Sequence, residues 1–150
     1  MKLKLFSLIV VLMSAVSAIA QDLDALLKRD LDAERRTIVA QSIIIPNGME
    51  TDFWKYYSDM EQELDMLTDM RIANIKKFAD NYENVTDKVA KDLAGTFFDI
   101  NSDRYKIYKK YYKKMGKLIT AKEAARLIQI LNQIQLIIDV QLAAEVPLIE

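Results

Sequence analysis

Apolar residues recur at intervals of three and four along most of the chain, the spacing that lines one face of an α-helix. In the first such segment, about 22–43, Leu23, Leu27, Leu31 and Ile38 share a face, and 46-PNG-48 stops the run with a turn. The second begins near Asp52, after Thr51, with a stripe of Phe53, Tyr57, Met60, Leu64, Leu67, Ile75, Phe78 and Tyr82. A break at 83-ENVT-86 offers Thr86 as the N-cap of a third helix, which runs to about Met115 and ends at Gly116 as a left-handed C-cap. At ~1.5 Å per residue this helix is roughly 40 Å long. The fourth opens with 120-TAKE-123, a capping box in which the Thr120 hydroxyl and the Glu123 carboxylate each satisfy a free amide, and continues to about Glu145, before Pro147.

Between Arg126 and Glu145 the fourth helix carries a single charge, Asp139, among Leu127, Ile128, Ile130, Leu131, Ile134, Leu136, Ile137, Ile138, Val140 and Leu142. A helix apolar nearly all round is the central element of a bundle, an oligomer interface, or both. Gly48, Gly95 and Gly116 are the only glycines, too few for the turns of a β-protein, so no strands are expected. The pattern predicts an all-α fold: a four-helix antiparallel bundle built on a long helical hairpin of about 52–82 and 87–115. The fourth helix packs against the hairpin and the first covers a side, in one domain over 21–150.

Residues 1–20 read differently. Lys2 and Lys4 precede an uncharged apolar run that ends in 18-AIA-20, the pattern of a secretory signal peptide cleaved after Ala20. The run is shorter than the ~20 residues that a bilayer core requires. The absence of cysteine excludes a lipoprotein anchor, a disulfide framework and thiolate metal sites. The expected mature protein is soluble and periplasmic, with no stable membrane anchoring. Losing Lys2 and Lys4 takes the 21 cations to 19 against 22 acids, a net charge of −3. The charges are sorted: 22–69 is acidic, whereas 104–126 is strongly basic.

The basic stretch 104-RYKIYKKYYKKMGK-117 invites a nucleic-acid reading. Helical spacing instead gathers Tyr105, Tyr108, Tyr112 and Met115 on one face, flanked by Ile107 and Tyr111, and puts Lys106, Lys109, Lys113 and Lys117 opposite, with Lys110. Stacking on single strands needs rings and cations on one surface, and an exported protein meets no nucleic acid. In a hairpin turning near Val85, 106–113 stand level with 56–63, where Asp59, Glu61 and Glu63 lie, so the charges set register. Lys106, Lys109 and Lys113 remain candidates for contact with an acidic partner.

No histidine accompanies the missing cysteine, which excludes Ser-His-Asp and Cys-His catalysis and the usual zinc, copper(II) and haem ligand sets. Glu61, Glu63 and Asp65 read as a solvated face, and Met60, Met66 and Met70 as ordinary apolar filler. No enzyme activity and no cofactor are expected. Polar residues inside the apolar stripes are more informative: Arg71 between Leu67 and Ile75, Arg104 between Ile100 and Tyr108, and Asp139 on the fourth helix. A buried guanidinium is tolerated only when paired, so at least one of these arginines is expected to bond Asp139 or Glu61 inside the bundle, as a structural pair or as a ligand or switch site. Trp54 either seats against the first helix or stands exposed beside the Asn-Gly turn as an apolar anchor for a partner.

The segments 53-FWKYYSDMEQEL-64, Arg71 with 75-IKKFADNY-82, and 125-ARLIQILNQIQLIIDVQLAAEVPLI-149 resemble a family of small exported α-helical proteins of uncharacterised function from Gram-negative bacteria. More distantly, 85-VTDKV-89 and 119-ITAKE-123, at two helix starts, are similar to the L-T-x-x-Q motifs of the Spy/CpxP group of periplasmic stress proteins, with Val89 and Glu123 in place of glutamine. That resemblance implies a helical hairpin that dimerises and has a chaperone or stress-sensing role. The expected partners are other proteins: clients of a chaperone-like protein or, alternatively, a membrane regulator of which this chain is the soluble sensor. A homodimer through the fourth helix fits either role.

Overall fold

The computed structural model describes residues 31–149, with side chains from 34 onward. The expected signal peptide at 1–20, Leu23, Leu27 and the side chain of Leu31 lie outside these described residues. Within them the chain is all-α: α1 (Leu31–Ser42), α2 (Glu50–Asp80), a 3-10 turn (Tyr82–Asn84), α3 (Asp87–Leu118) and α4 (Ala121–Glu145), with no strand. Between α1 and α2, Met49 N–H donates to Pro46 O at 3.0 Å, and Gly48 adopts φ +83°, a conformation open to glycine at no steric cost. Glu50 and Asp52 then place negative charge in the first turn of α2, next to its partly positive N-terminus.

Thr86 caps α3 by accepting from Val89 N–H at 3.3 Å. From this turn α2 and α3 run antiparallel. Asn74 Nδ2 donates to Leu93 O at 3.1 Å and Lys77 meets Asp92 at 3.3 Å near the turn. Farther along, Lys110 meets Glu63 and Lys114 lies over Tyr56, so 110–114 stand level with 56–63.

Several details of the helices differ from the pattern reading. Gly116 does not end α3, which continues for two more residues to Leu118, and Ile119 N–H donates to Met115 O at 2.8 Å. The buried face of α3 is Leu93, Ile100, Arg104, Ile107, Tyr108, Tyr111 and Met115, while Tyr105 and Tyr112 are exposed. At about 100° per residue those two tyrosines fall roughly 100° from the middle of the buried set, which centres near Tyr111. In α1 the core residues are Val39 and the following Ile43, with Ile38 exposed. In α2, Ile72 joins the core, and Tyr82, beyond the helix end, is exposed.

The core has two parts. The larger joins Val39 and Ile43, the α2 residues Phe53, Tyr57, Met60, Leu64 and Leu67, the α3 residues from Ile100 to Met115, and Ala124, Leu127 and Leu131 of α4. The smaller consists of Ile72, Ile138 and Leu142, with Ile75 and Ile134 against it. Phe53, Tyr57, Met60, Tyr111, Met115 and Leu127 are essentially inaccessible, and burying each of the Phe, Met and Leu side chains favours folding by about 1.5–3 kcal/mol.

Candidate functional site: a polar seam among the helices

Polar groups interrupt the core at mid-height. Arg71 Nη1, from α2, donates to Asp139 Oδ1 of α4 at 2.5 Å, and Gln135 Nε2, one turn earlier on α4, donates to the same oxygen at 2.8 Å. The Arg71 and Asp139 side chains are 21% and 37% exposed, so this pair stands on the flank of the bundle rather than inside it as the stripe position suggested. The apolar stripe of α2 swings past Arg71 to Ile72, leaving the guanidinium at its edge.

Arg104 is the arginine that is buried, 7% exposed on α3. Its hydrogen bond is to Asn101 Oδ1 on its own helix, at 3.5 Å, and it bonds neither Asp139 nor Glu61. Burial pushes the guanidinium below its usual range; Tyr108 opposes this, Arg71 adds to it, and Asp139 opposes it again. Beside Arg104 lies a cavity of about 20 Å³ where all four helices meet; among the described residues its polar lining is Arg35 of α1, Thr68 of α2, Arg104 and Tyr108 of α3, and Gln135 of α4. Burial likewise raises the Tyr108 hydroxyl, against the lowering influence of Arg104 and Arg35.

Glu61 pairs with a different arginine from the two expected: Arg36 Nε of α1, at 3.3 Å. Arg36 also donates to Ser58 Oγ at 2.8 Å and lies over the Trp54 and Tyr57 rings, 5.5 and 5.8 Å from their centroids. Trp54 is therefore half-buried against α1, edge-on to Phe53 and Tyr57. The Tyr57 hydroxyl is fully buried, and burial followed by the Glu61 charge pushes its ionisation up.

The lysines of α3 divide into two sets. Lys106, Lys109 and Lys113 are exposed, and Lys106 donates to Asp103 on its own helix at 2.8 Å. Lys110 and Lys114 bend toward α2: Lys110 Nζ and Tyr111 Oη both donate to Glu63 Oε1, at 2.5 and 2.7 Å, and both ammonium groups lie about 5 Å from the Tyr111 ring. The Lys110 bond holds the Glu63 carboxyl below the usual range; partial burial opposes it and the Tyr111 bond reinforces it.

One polar anchor was not legible as such. Thr120 Oγ1 accepts from Glu123 N–H at 3.1 Å, but the Glu123 carboxylate does not complete a capping box. It turns inward, is buried, and accepts from Ile44 N–H, just beyond α1, at 3.0 Å, while Arg126 meets it at 3.3 Å and reaches Ser42 O at 3.4 Å. The exit of α1 is thus tied to the first turn of α4. The sequence signal was the acid three residues before Arg126, on the face that Ala124 and Leu127 carry into the core.

α4 is the one helix among the described residues long and apolar enough to cross a membrane, with mean hydropathy 1.4 over its most apolar stretch, of which 22% is buried. Leu127, Leu131, Ile138 and Leu142 face the bundle, whereas Leu136, Ile137 and Val140 are 55%, 58% and 71% exposed. No cluster of three or more metal-ligating His, Cys, Asp or Glu side chains occurs among the described residues. Comparison with protein-family models, curated proteins and solved structures finds no match.

Proposed function

We propose that the chain, after loss of residues 1–20, works in the periplasm as a single antiparallel four-helix bundle that binds other polypeptides without catalysis, as a chaperone-like protein or an envelope-stress accessory. The observation that carries this reading is the exposed strip Leu136, Ile137 and Val140 on α4, on the side turned from the core and flanked by the neutral Gln133 and Gln141. An uncharged apolar strip on an otherwise charged bundle suits unfolded segments, or the same strip of a second copy. The Arg71–Asp139 bond between α2 and α4 favours a helix that stays in the bundle over one that leaves it for a bilayer.

Light scattering of a heat-aggregating client in the presence of the mature chain tests the reading. Suppression at a few-fold molar excess, lost in Ile137→Asp with an unchanged melting temperature, is the expected result; no protection at tenfold excess would end it. The sensor alternative draws on the same Arg71–Asp139 bond, partly exposed and shared with Gln135, as the contact that a signal would break. Pull-down from envelope extracts separates the two: one dominant partner for a sensor, many weak ones for a chaperone.

A further inference from the structure

We propose that the cavity beside Arg104 is an internal binding site for a small monatomic anion of the halide class, held where the four helices meet. The inference starts from Arg104, which is 7% exposed and, among the described residues, bonds only Asn101 Oδ1, at 3.5 Å, the outer limit for a hydrogen bond. A guanidinium offers five donors in a rigid fork, and a buried cation without a bonded counter-charge is costly. Asp139, the acid whose field reaches Arg104, already gives its Oδ1 to Arg71 and Gln135.

The cavity is polar. Among the described residues, Arg104 and Arg35 line it from two helices, Gln135, Thr68 and Tyr108 add polar groups, and no carboxylate does. Its volume of about 20 Å³ exceeds the roughly 10–15 Å³ that admits one water molecule. That is room for a single small ion and too little for phosphate or an organic acid. A water molecule in the same place would satisfy donors but leave the arginine charge uncompensated, whereas a halide does both. The site is separate from the apolar strip of α4 and does not depend on the polypeptide-binding reading.

The probes are chloride and bromide, used on the mature full chain. In thermal unfolding at constant ionic strength, replacing sodium gluconate stepwise by sodium chloride should raise the melting temperature with the logarithmic dependence of a ligand that binds only the native state. Arg104→Met should abolish the chloride dependence. Because that variant removes a core residue and is at risk of not folding, the deciding measurement is made on the wild type: anomalous diffraction from crystals grown in bromide. A bromide peak within hydrogen-bonding reach of the Arg104 guanidinium is the expected result. An empty cavity, or an ordered water that bromide does not displace, overturns the proposal, as does a melting temperature indifferent to the exchange of gluconate for chloride.

Discussion

Replacing Glu123 with alanine should loosen α1 from the bundle, and its cost can be assembled from the contacts. The carboxylate accepts a charge-assisted bond from Ile44 N–H at 3.0 Å, a class worth about 1.5–3 kcal/mol. The Arg126 pair adds about 0–1 kcal/mol, toward the low end because the Arg126 side chain is 42% exposed. Alanine should therefore destabilise the protein by roughly 2–3 kcal/mol, while Glu123→Gln, which keeps the acceptor and the shape but not the charge, should cost about 1 kcal/mol. Thr120→Ala, which removes only the cap, is a control at about 1 kcal/mol. Urea unfolding followed by far-ultraviolet circular dichroism gives the three values. Amide exchange gives the location: in Glu123→Ala the amides around Val39 and Ile43 should lose protection before those of the α2–α3 hairpin. An alanine variant within 0.5 kcal/mol of wild type, or a glutamine variant as costly as alanine, would refute the idea that the carboxylate ties α1 to α4.

Gly116 lies inside α3 without a left-handed backbone, and a Cβ there meets Ala124 at an ordinary 3.9 Å, so Gly116→Ala should stabilise by about 0.5–1 kcal/mol in the same unfolding assay. Asp139→Asn should cost only about 1 kcal/mol, because the Arg71–Asp139 pair is 21% and 37% exposed; a loss of several kcal/mol would mean the pair is far more shielded than its exposure indicates. The folded-state Glu63 carboxyl is lowered, so in acid the unfolded chain binds more protons than the folded one and stability rises with pH. The Glu63 contribution is complete above the ordinary carboxylate range and disappears as pH falls through the folded value. Melting temperatures recorded between about pH 5 and pH 3 should show a shallower acid decline for Glu63→Gln than for wild type, and parallel curves would contradict the assignment.

How much of this was legible depended on whether a residue's surroundings were local. Thr86 and Thr120 could be read as caps because the amides they accept from lie three residues ahead. The hairpin turn alone put 106–113 level with 56–63; the structure pairs Lys110 with Glu63 inside those spans, about one helical turn from their straight antiparallel match. Rotation about a helix axis was less accessible: in α3 the sequence offers four tyrosines over two turns, and only packing against α2 and α4 selects Tyr108 and Tyr111 over Tyr105 and Tyr112. The arginines illustrate the same limit. Arg71 and Arg104 occupy equivalent-looking stripe positions, yet the small turn of α2 that buries Ile72 puts Arg71 at the flank, and the turn of α3 carries Arg104 inward. Glu123 was hidden for a further reason, since its partner amide, Ile44, lies 79 positions away in the chain.

The division of the core into a large and a small cluster implies a gradient of local unfolding along the molecule. At one end α1, the Pro46 turn and the α3–α4 junction share a dense interior; at the other, the last turns of α4 rest, among the described residues, on the small cluster of Ile72, Ile138 and Leu142 with Ile75 and Ile134. Sub-global opening of that end costs less than the whole fold, so the α4 amides beyond Gln135 should exchange first under native conditions. Each such opening adds Ile138 and Leu142 to the apolar strip already outside, so the area available to another chain becomes a function of temperature rather than a fixed property of the surface.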